Sequence, residues 1–201
     1  MSLEIFDSLF GTKTRARLIR FFTLNPEGEF ASPDIALRIL LDRPAVTAEL
    51  NRLERLKFVV CHLRRGKKLY SANRDFPFFN ELHGLVAKLN VNAQSQVFKR
   101  LKLIGEVKMI LVSGVFLNYP KAKADLILVV NHLNRTKLKH ALAHLEAEVG
   151  KDVRFVLMTM EELQYRLDML DRFLIEFLEG PYEEVVNKVP EFKRFLAGLR
   201  K

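Results

Sequence analysis

A dense group of cations lies in the first half of the chain and is the strongest chemical signal of the sequence. Between residues 52 and 74, eight lysines and arginines accompany a single acid, Glu54. Guanidinium and ammonium groups bind phosphates and the hydrogen-bonding edges of bases. A cluster of this kind therefore suggests a polyanionic partner. The eight cations are Arg52, Arg55, Lys57, Arg64, Arg65, Lys67, Lys68 and Arg74.

The element that must position the first of these cations is a predicted helix over residues 44–56. Val46, Leu50 and Leu53 recur at the spacing of one helical stripe, so they form its buried face. The opposite face then presents small, amide and guanidinium groups. These groups suit the major groove of DNA, because Arg pairs with guanine and Asn with adenine. The residues predicted to contact DNA from this helix and the position before it are Arg43, Ala48, Asn51, Arg52 and Arg55.

The other cations lie in a predicted β-hairpin with strands over residues 59–63 and 67–72. Arg65 and Gly66 form its tip. Cations at such a tip can follow the phosphates or enter a minor groove. The hairpin residues predicted to contact DNA are Arg64, Arg65, Lys67 and Lys68.

The order of three helices followed by a basic hairpin resembles the winged helix-turn-helix domain of transcriptional regulators. The resemblance covers residues 9–73, with "VTAELNRLERLKFV" as the recognition helix and "RRGKKLYSAN" as the wing. It implies double-stranded DNA as the partner. A second interpretation stays open, in which the domain contacts proteins and the basic hairpin is a solvated surface.

The second half of the chain resembles the minimal nucleotidyltransferase fold of the polymerase-β type. The resemblance covers residues 97–187 and is carried by "VKMILVSGVFLNYPKAKADLILVV" and "GKDVRFVLMTMEEL". In that family one strand ends in Gly-Ser, the next begins Ser-Asp-x-Asp-Leu, and a third supplies another acid. The positions that match this pattern are Ser113, Gly114, Asp125, Ile127 and Arg154.

These positions depart from the family's pattern where metal ions would bind. Nucleotidyl transfer in this fold uses metal ions held by carboxylates, and acids two residues apart on a strand share a face. Here Ile127 and Arg154 stand where acids would be, which leaves Asp125 alone. We therefore predict no enzymatic activity, no catalytic residue, no bound metal and no cofactor. We expect Asp125 to pair with Arg154 or Lys123.

A non-catalytic domain of this kind can keep a basic cleft. Lys121, Lys123 and Arg154 are the candidate contacts for a nucleotide or another anionic effector. The alternative is a domain retained for folding, dimerisation or protein contacts.

Length and composition limit the classes of protein to which the chain can belong. The chain has 201 residues, of which 49% are hydrophobic and 28% charged, and this excludes a disordered protein. Its net charge is +9, from 33 Lys/Arg against 24 Asp/Glu. Cys61 is the one cysteine, so no internal disulfide can form and a reducing compartment is expected. The apolar runs are short for a membrane span and the N-terminus lacks the pattern of a signal peptide, so we predict a cytoplasmic protein without membrane contact.

Together these patterns predict an α+β protein with two domains. A winged helix-turn-helix would occupy residues 1–90 and a nucleotidyltransferase-like α/β domain residues 91–201, with the polar segment 90–95 as boundary. We predict a DNA-binding transcriptional regulator that forms a homodimer through the amphipathic segment 76–89. The open alternatives are an active nucleotidyltransferase, for example of a toxin–antitoxin system, and a protein-interaction adaptor.

Overall fold

A computed structural model describes residues 3–89 and 96–190, together with residues 192 and 195. It contains both helices and strands, which confirms the predicted α+β class. Its residues form two compact units. Unit 1 is Met1–Asn92 with Ala143–Asp152, and unit 2 is Ala93–Leu142 with Val153–Lys201. Among the helices of the described residues, none combines the length and the apolar character that a membrane-spanning helix needs.

Unit 1 combines helices with a small antiparallel sheet, whose strand order is β1-β3-β2. Its elements, in chain order, are α1 (Leu3–Leu9), α2 (Lys13–Leu24), β1 (Phe30–Ala31), α3 (Ser32–Arg38), α4 (Arg43–Arg55), β2 (Val59–Arg64), β3 (Lys67–Ala72) and α5 (Phe79–Ala87).

Helix α4 has one face fixed by the core of unit 1. Pro44 stands in its first turn, where the missing N–H removes no helical hydrogen bond. Val46, Leu50 and Leu53 are buried and belong to one apolar cluster of the unit. The helix ends where the Phe58 N–H donates to the Leu53 carbonyl at 2.9 Å, the bond of a Schellman motif. The buried stripe decides which face of α4 is left to solvent.

Unit 2 contains a four-stranded sheet of order β6-β5-β4-β7, in which β5 and β6 are parallel and the other pairs antiparallel. Its apolar cluster includes Met109, Ile127 and Phe177. Its elements are α6 (Gln96–Leu101), β4 (Glu106–Val112), a 3₁₀ turn (Gly114–Phe116), β5 (Leu126–Asn131), α7 (Arg135–Val149, whose last residues belong to unit 1), β6 (Phe155–Met158), α8 (Met160–Asp168), α9 (Arg172–Glu179) and β7 (Glu183–Asn187).

Some elements differ from the sequence prediction. The strands β1 and β7 are not predicted, because β1 has two residues and β7, "EEVVN", is an edge strand without apolar alternation. Helix α5 begins at Phe79 rather than at Phe76, because Pro77 disfavours helical backbone at the residue before it. The segment 90–95, which the sequence predicts as the domain boundary, lies outside the described residues.

Candidate functional site

The face of α4 that turns away from the core carries the side chains predicted to contact DNA. Ala48, Asn51, Arg52 and Arg55 follow the i, i+3, i+4, i+7 spacing of one helical face, and all four are exposed. Arg43, at the first position of the helix, is also exposed. The Arg55 Nε donates to the Asn51 carbonyl at 3.2 Å, one turn back along the helix. The structure therefore presents this predicted set to solvent.

A buried carboxylate lies beside this face and is not predicted from the sequence. The Glu49 side chain is 6% exposed. Its Oε1 accepts from the Arg15 Nε at 2.5 Å, and its Oε2 accepts from the Arg52 Nη1 at 3.3 Å. A buried carboxylate is costly unless cations and hydrogen bonds compensate it, and the two arginines supply both. The sequence signal is an acid placed three residues after Val46 and four before Leu53, inside the apolar stripe.

At the tip of the hairpin, Arg65 adopts a left-handed backbone conformation that is unusual for a residue other than glycine. We call β2, β3 and the residues between them the cationic hairpin. Arg65 and Gly66 have φ of +49° and +73°, the signs of a type I′ turn, which matches the twist of the two strands. Gly66 adopts this backbone freely, whereas for Arg65 it costs about 1–2 kcal/mol because its Cβ crowds the following carbonyl. The tip therefore carries an arginine at a cost in stability.

Like charges face each other across the cationic hairpin. Arg64 lies directly opposite Lys67, and cations in such a pair destabilise a hairpin. The Arg64 Nη1 lies 3.4 Å from the Glu29 Oε2, which compensates part of this repulsion. Within the part of the chain that the structure describes, Arg65, Lys67 and Lys68 form no ion pair with a carboxylate. The tip presents uncompensated positive charge to solvent.

In unit 2, the Asp125 carboxylate is fully buried just before β5. Its Oδ1 accepts from the Val115 N–H (3.0 Å) and the Arg154 Nη2 (2.9 Å), and its Oδ2 from the Arg154 N–H (2.9 Å) and Nε (3.0 Å). This hydrogen bonding raises the pKa of Arg154 above its ordinary value. Of the two partners expected for Asp125, Arg154 is the one that binds it. Lys123 instead lies 3.1 Å from the Glu176 Oε2.

Gly114 makes room for this carboxylate. Its φ is +50°, and a Cβ at this position would lie 1.8 Å from the Asp125 Oδ1. A side chain at position 114 and the carboxylate at 125 therefore exclude each other. The side chains at two other predicted positions have different partners. The Ser113 Oγ donates to the Pro181 carbonyl at 2.6 Å, and Ile127 is buried in the apolar cluster of unit 2. Of the other four predicted positions, only Gly114 and Arg154 therefore lie beside the Asp125 carboxylate.

The predicted effector contacts are not brought together at one place. Lys121 and Lys123 line a cavity of about 250 Å³ in unit 2, and Glu176 and Glu179 line it with them. The carboxylates balance the lysines, so the cavity is mixed in charge. Arg154 is absent from the described residues that line this cavity, and its guanidinium is bound to Asp125.

The segment predicted as a dimer contact directs most of its apolar side chains inward. Phe79 and Val86 of α5 are buried in the cluster of unit 1, and Leu82 and Leu85 pack against that cluster. Phe78, which is 63% exposed, is the large apolar side chain of the segment that remains in solvent. The amphipathic pattern is explained by packing within unit 1.

Comparison of the chain with protein-family models, with curated proteins and with solved structures found no match. Among the described residues, no group of three or more His, Cys, Asp or Glu could hold a metal ion.

Proposed function

We propose that unit 1 is a winged helix-turn-helix domain that binds double-stranded DNA, and that the protein is a cytoplasmic regulator of transcription. The observation that carries the proposal is an exposed polar face on α4, followed at once in the chain by a hairpin tip whose cations largely lack carboxylate partners among the residues that the structure describes. The single thiol of Cys61 is compatible with a reducing compartment.

Helix α4 has the composition of a recognition helix. Ala48 allows close approach to the floor of a groove, and Asn51 and Arg52 carry the amide and guanidinium groups that pair with adenine and guanine. The i, i+3, i+4, i+7 spacing lets these side chains reach one groove together. Arg43 and Arg55 flank them near the two ends of the helix, where they would contact phosphates.

The cationic hairpin supports the same partner through its energetics. The Arg64–Lys67 pair and the backbone of Arg65 both cost stability in the free protein. A row of phosphates would reverse the electrostatic part of that cost, because each lysine or arginine then faces an anion. In the free protein water and salt only screen this repulsion, whereas a polyanionic partner would compensate it directly.

For unit 2, we propose a nucleotidyltransferase-like domain without catalytic activity. Mg²⁺ needs several free oxygen ligands, and the Asp125 carboxylate already accepts four hydrogen bonds. Ile127 offers no oxygen, and the Arg154 guanidinium occupies the space beside the carboxylate. Effector binding, oligomerisation or partner contact are the roles left to such a domain.

We propose that the protein acts as a homodimer on DNA, because two-fold operators match two-fold proteins. The apolar side of α5 packs on its own unit. Within residues 76–89, Phe78 and its exposed neighbours therefore remain available for the dimer contact. Light scattering at micromolar concentration tests the assembly. A monomer that binds as one copy per DNA site would contradict it.

The decisive experiment for DNA binding is selection of genomic fragments with the purified protein, followed by titration of a selected duplex and a random duplex in increasing salt. We expect tighter binding of the selected duplex and a steep fall of both affinities with salt. Absence of salt-dependent DNA binding would favour the protein-interaction adaptor. Mg²⁺-dependent transfer of label from a nucleotide by the native protein would instead reveal an active nucleotidyltransferase.

A further inference from the structure

Glu49 joins two arginines that differ in their surroundings. The Arg15 side chain, on α2, is 33% exposed, and the Arg52 side chain, on the exposed face of α4, is 58% exposed. The carboxylate between them is itself almost inaccessible to solvent. One buried anion therefore connects the core side of α4 with a side chain that faces the proposed DNA.

Stability alone does not explain a carboxylate at this position. An apolar residue would continue the stripe of Val46, Leu50 and Leu53, and replacing buried ion pairs by apolar residues is often neutral or stabilising. Arg15, at 2.5 Å, already supplies one charge-assisted hydrogen bond to Oε1. The second oxygen is the one that reaches Arg52, at 3.3 Å.

We propose that Glu49 is a positioning residue that sets the Arg52 guanidinium for base recognition, an inference that rests on the proposed DNA binding. An arginine free in solvent samples many rotamers and loses that freedom when it binds. The contact with Glu49 uses one N–H of the guanidinium and leaves the other donors for the paired acceptors of guanine. The negative charge also disfavours movement of nearby phosphates toward Arg52, so the base edge becomes the preferred contact.

The test is Glu49→Gln, measured on a selected duplex and on a random duplex at one salt concentration. Gln keeps the size of the side chain and removes its charge. We expect the ratio of the two affinities to fall about three- to tenfold, since a tenfold change corresponds to the rotamer freedom of about one side chain. Binding of the random duplex should become slightly tighter, because a negative charge near the DNA is lost. A purely structural role predicts an equal change on both duplexes.

The path through Arg52 is tested by a double-mutant cycle. In the Arg52→Ala background, Glu49→Gln should leave the affinity ratio unchanged, and a further fall there would overturn the positioning role. If Glu49→Gln does not fold by circular dichroism, Glu49→Asp keeps the charge but withdraws it by one methylene, and it should lower the ratio as well. If the native protein prefers the selected duplex and the Glu49 variants keep this preference, the positioning role of Glu49 is overturned and the proposed DNA binding stands. A native protein without DNA binding overturns both proposals.

Discussion

The tip of the cationic hairpin in unit 1 and the Asp125 site in unit 2 treat charged side chains in opposite ways. In unit 1, Arg65, Lys67 and Lys68 extend into solvent, without carboxylate partners among the described residues. In unit 2, the Asp125 carboxylate is fully buried and accepts four hydrogen bonds, two of them from a guanidinium. The first arrangement leaves charge available to a partner molecule, whereas the second uses all of it within the fold.

This contrast separates residues that bear on binding from residues that bear on stability. An unpaired surface cation contributes little to folding, so its removal should change binding and spare stability. A buried carboxylate with every lone pair in use should behave in the reverse way. Each of the following variants tests one side of that difference.

Asp125→Asn should produce the largest change in stability. The amide offers one acceptor oxygen in place of two, and its NH₂ would face the Arg154 donors. We expect the free energy of unfolding to fall by about 2–4 kcal/mol, measured by urea titration. The control is Asp152→Asn, whose carboxylate is 74% exposed in its pair with Arg38 and should matter by less than about 1 kcal/mol. Equal effects of the two substitutions would remove the contrast between the units.

Arg52→Ala and Asn51→Ala should have the largest effects on DNA binding. If these side chains pair with base edges, each substitution costs about 1–3 kcal/mol on the selected duplex and relaxes its preference at one position. Fluorescence anisotropy with single-base variants of the duplex measures both quantities. A loss that is the same on random and selected DNA would assign these residues to phosphates.

The double substitution Lys67→Ala/Lys68→Ala should weaken binding to all sequences alike. Each lost phosphate contact reduces the slope of log affinity against log salt by about 0.9. The matched control is Lys137→Ala/Lys139→Ala, which removes the same charge from exposed positions of α7. A slope that changes equally in both variants would mean that net charge, rather than the cationic hairpin, governs binding.

Arg65→Asn should give the smallest effect and move stability and binding in opposite directions. Asn tolerates the positive φ of this turn, so we expect the free energy of unfolding to rise by about 0.5–1 kcal/mol while DNA affinity falls. Lys68→Asn removes the same charge from a strand residue with ordinary backbone that lies opposite Leu63 rather than another cation, and it should give no gain in stability. Thermal unfolding and anisotropy of both variants check the expectation.

Features set by local sequence were predicted well. The exposed face of α4 follows from the spacing of Val46, Leu50 and Leu53, and the hairpin follows from two strand-like runs around Arg65-Gly66. In both cases the pattern lies within one helix or one hairpin. The Asp125–Arg154 pair joins residues 29 apart in the chain, and from the sequence Lys123 is an equally open partner for the carboxylate.

Features that depend on distant parts of the chain were not predicted. The burial of Glu49 depends on Arg15, which is 34 residues earlier on another helix. The close approach of Gly114 to Asp125 is visible only once the strands are in place. The four hydrogen bonds that make the Asp125 carboxylate part of the fold likewise depend on Val115 and Arg154, which lie on other segments of the chain.

The pairing of Asp125 with Arg154 gives unit 2 a counter-charge that belongs to the polypeptide. A bound ion can be diluted, exchanged or chelated, and its occupancy follows the free concentration in the cell. The guanidinium is present in every copy of the chain, so the stability of this site is independent of metal supply. The pairing also constrains the sequence. A single substitution at position 125 or 154 leaves one charge without its partner, so the two residues are expected to change together.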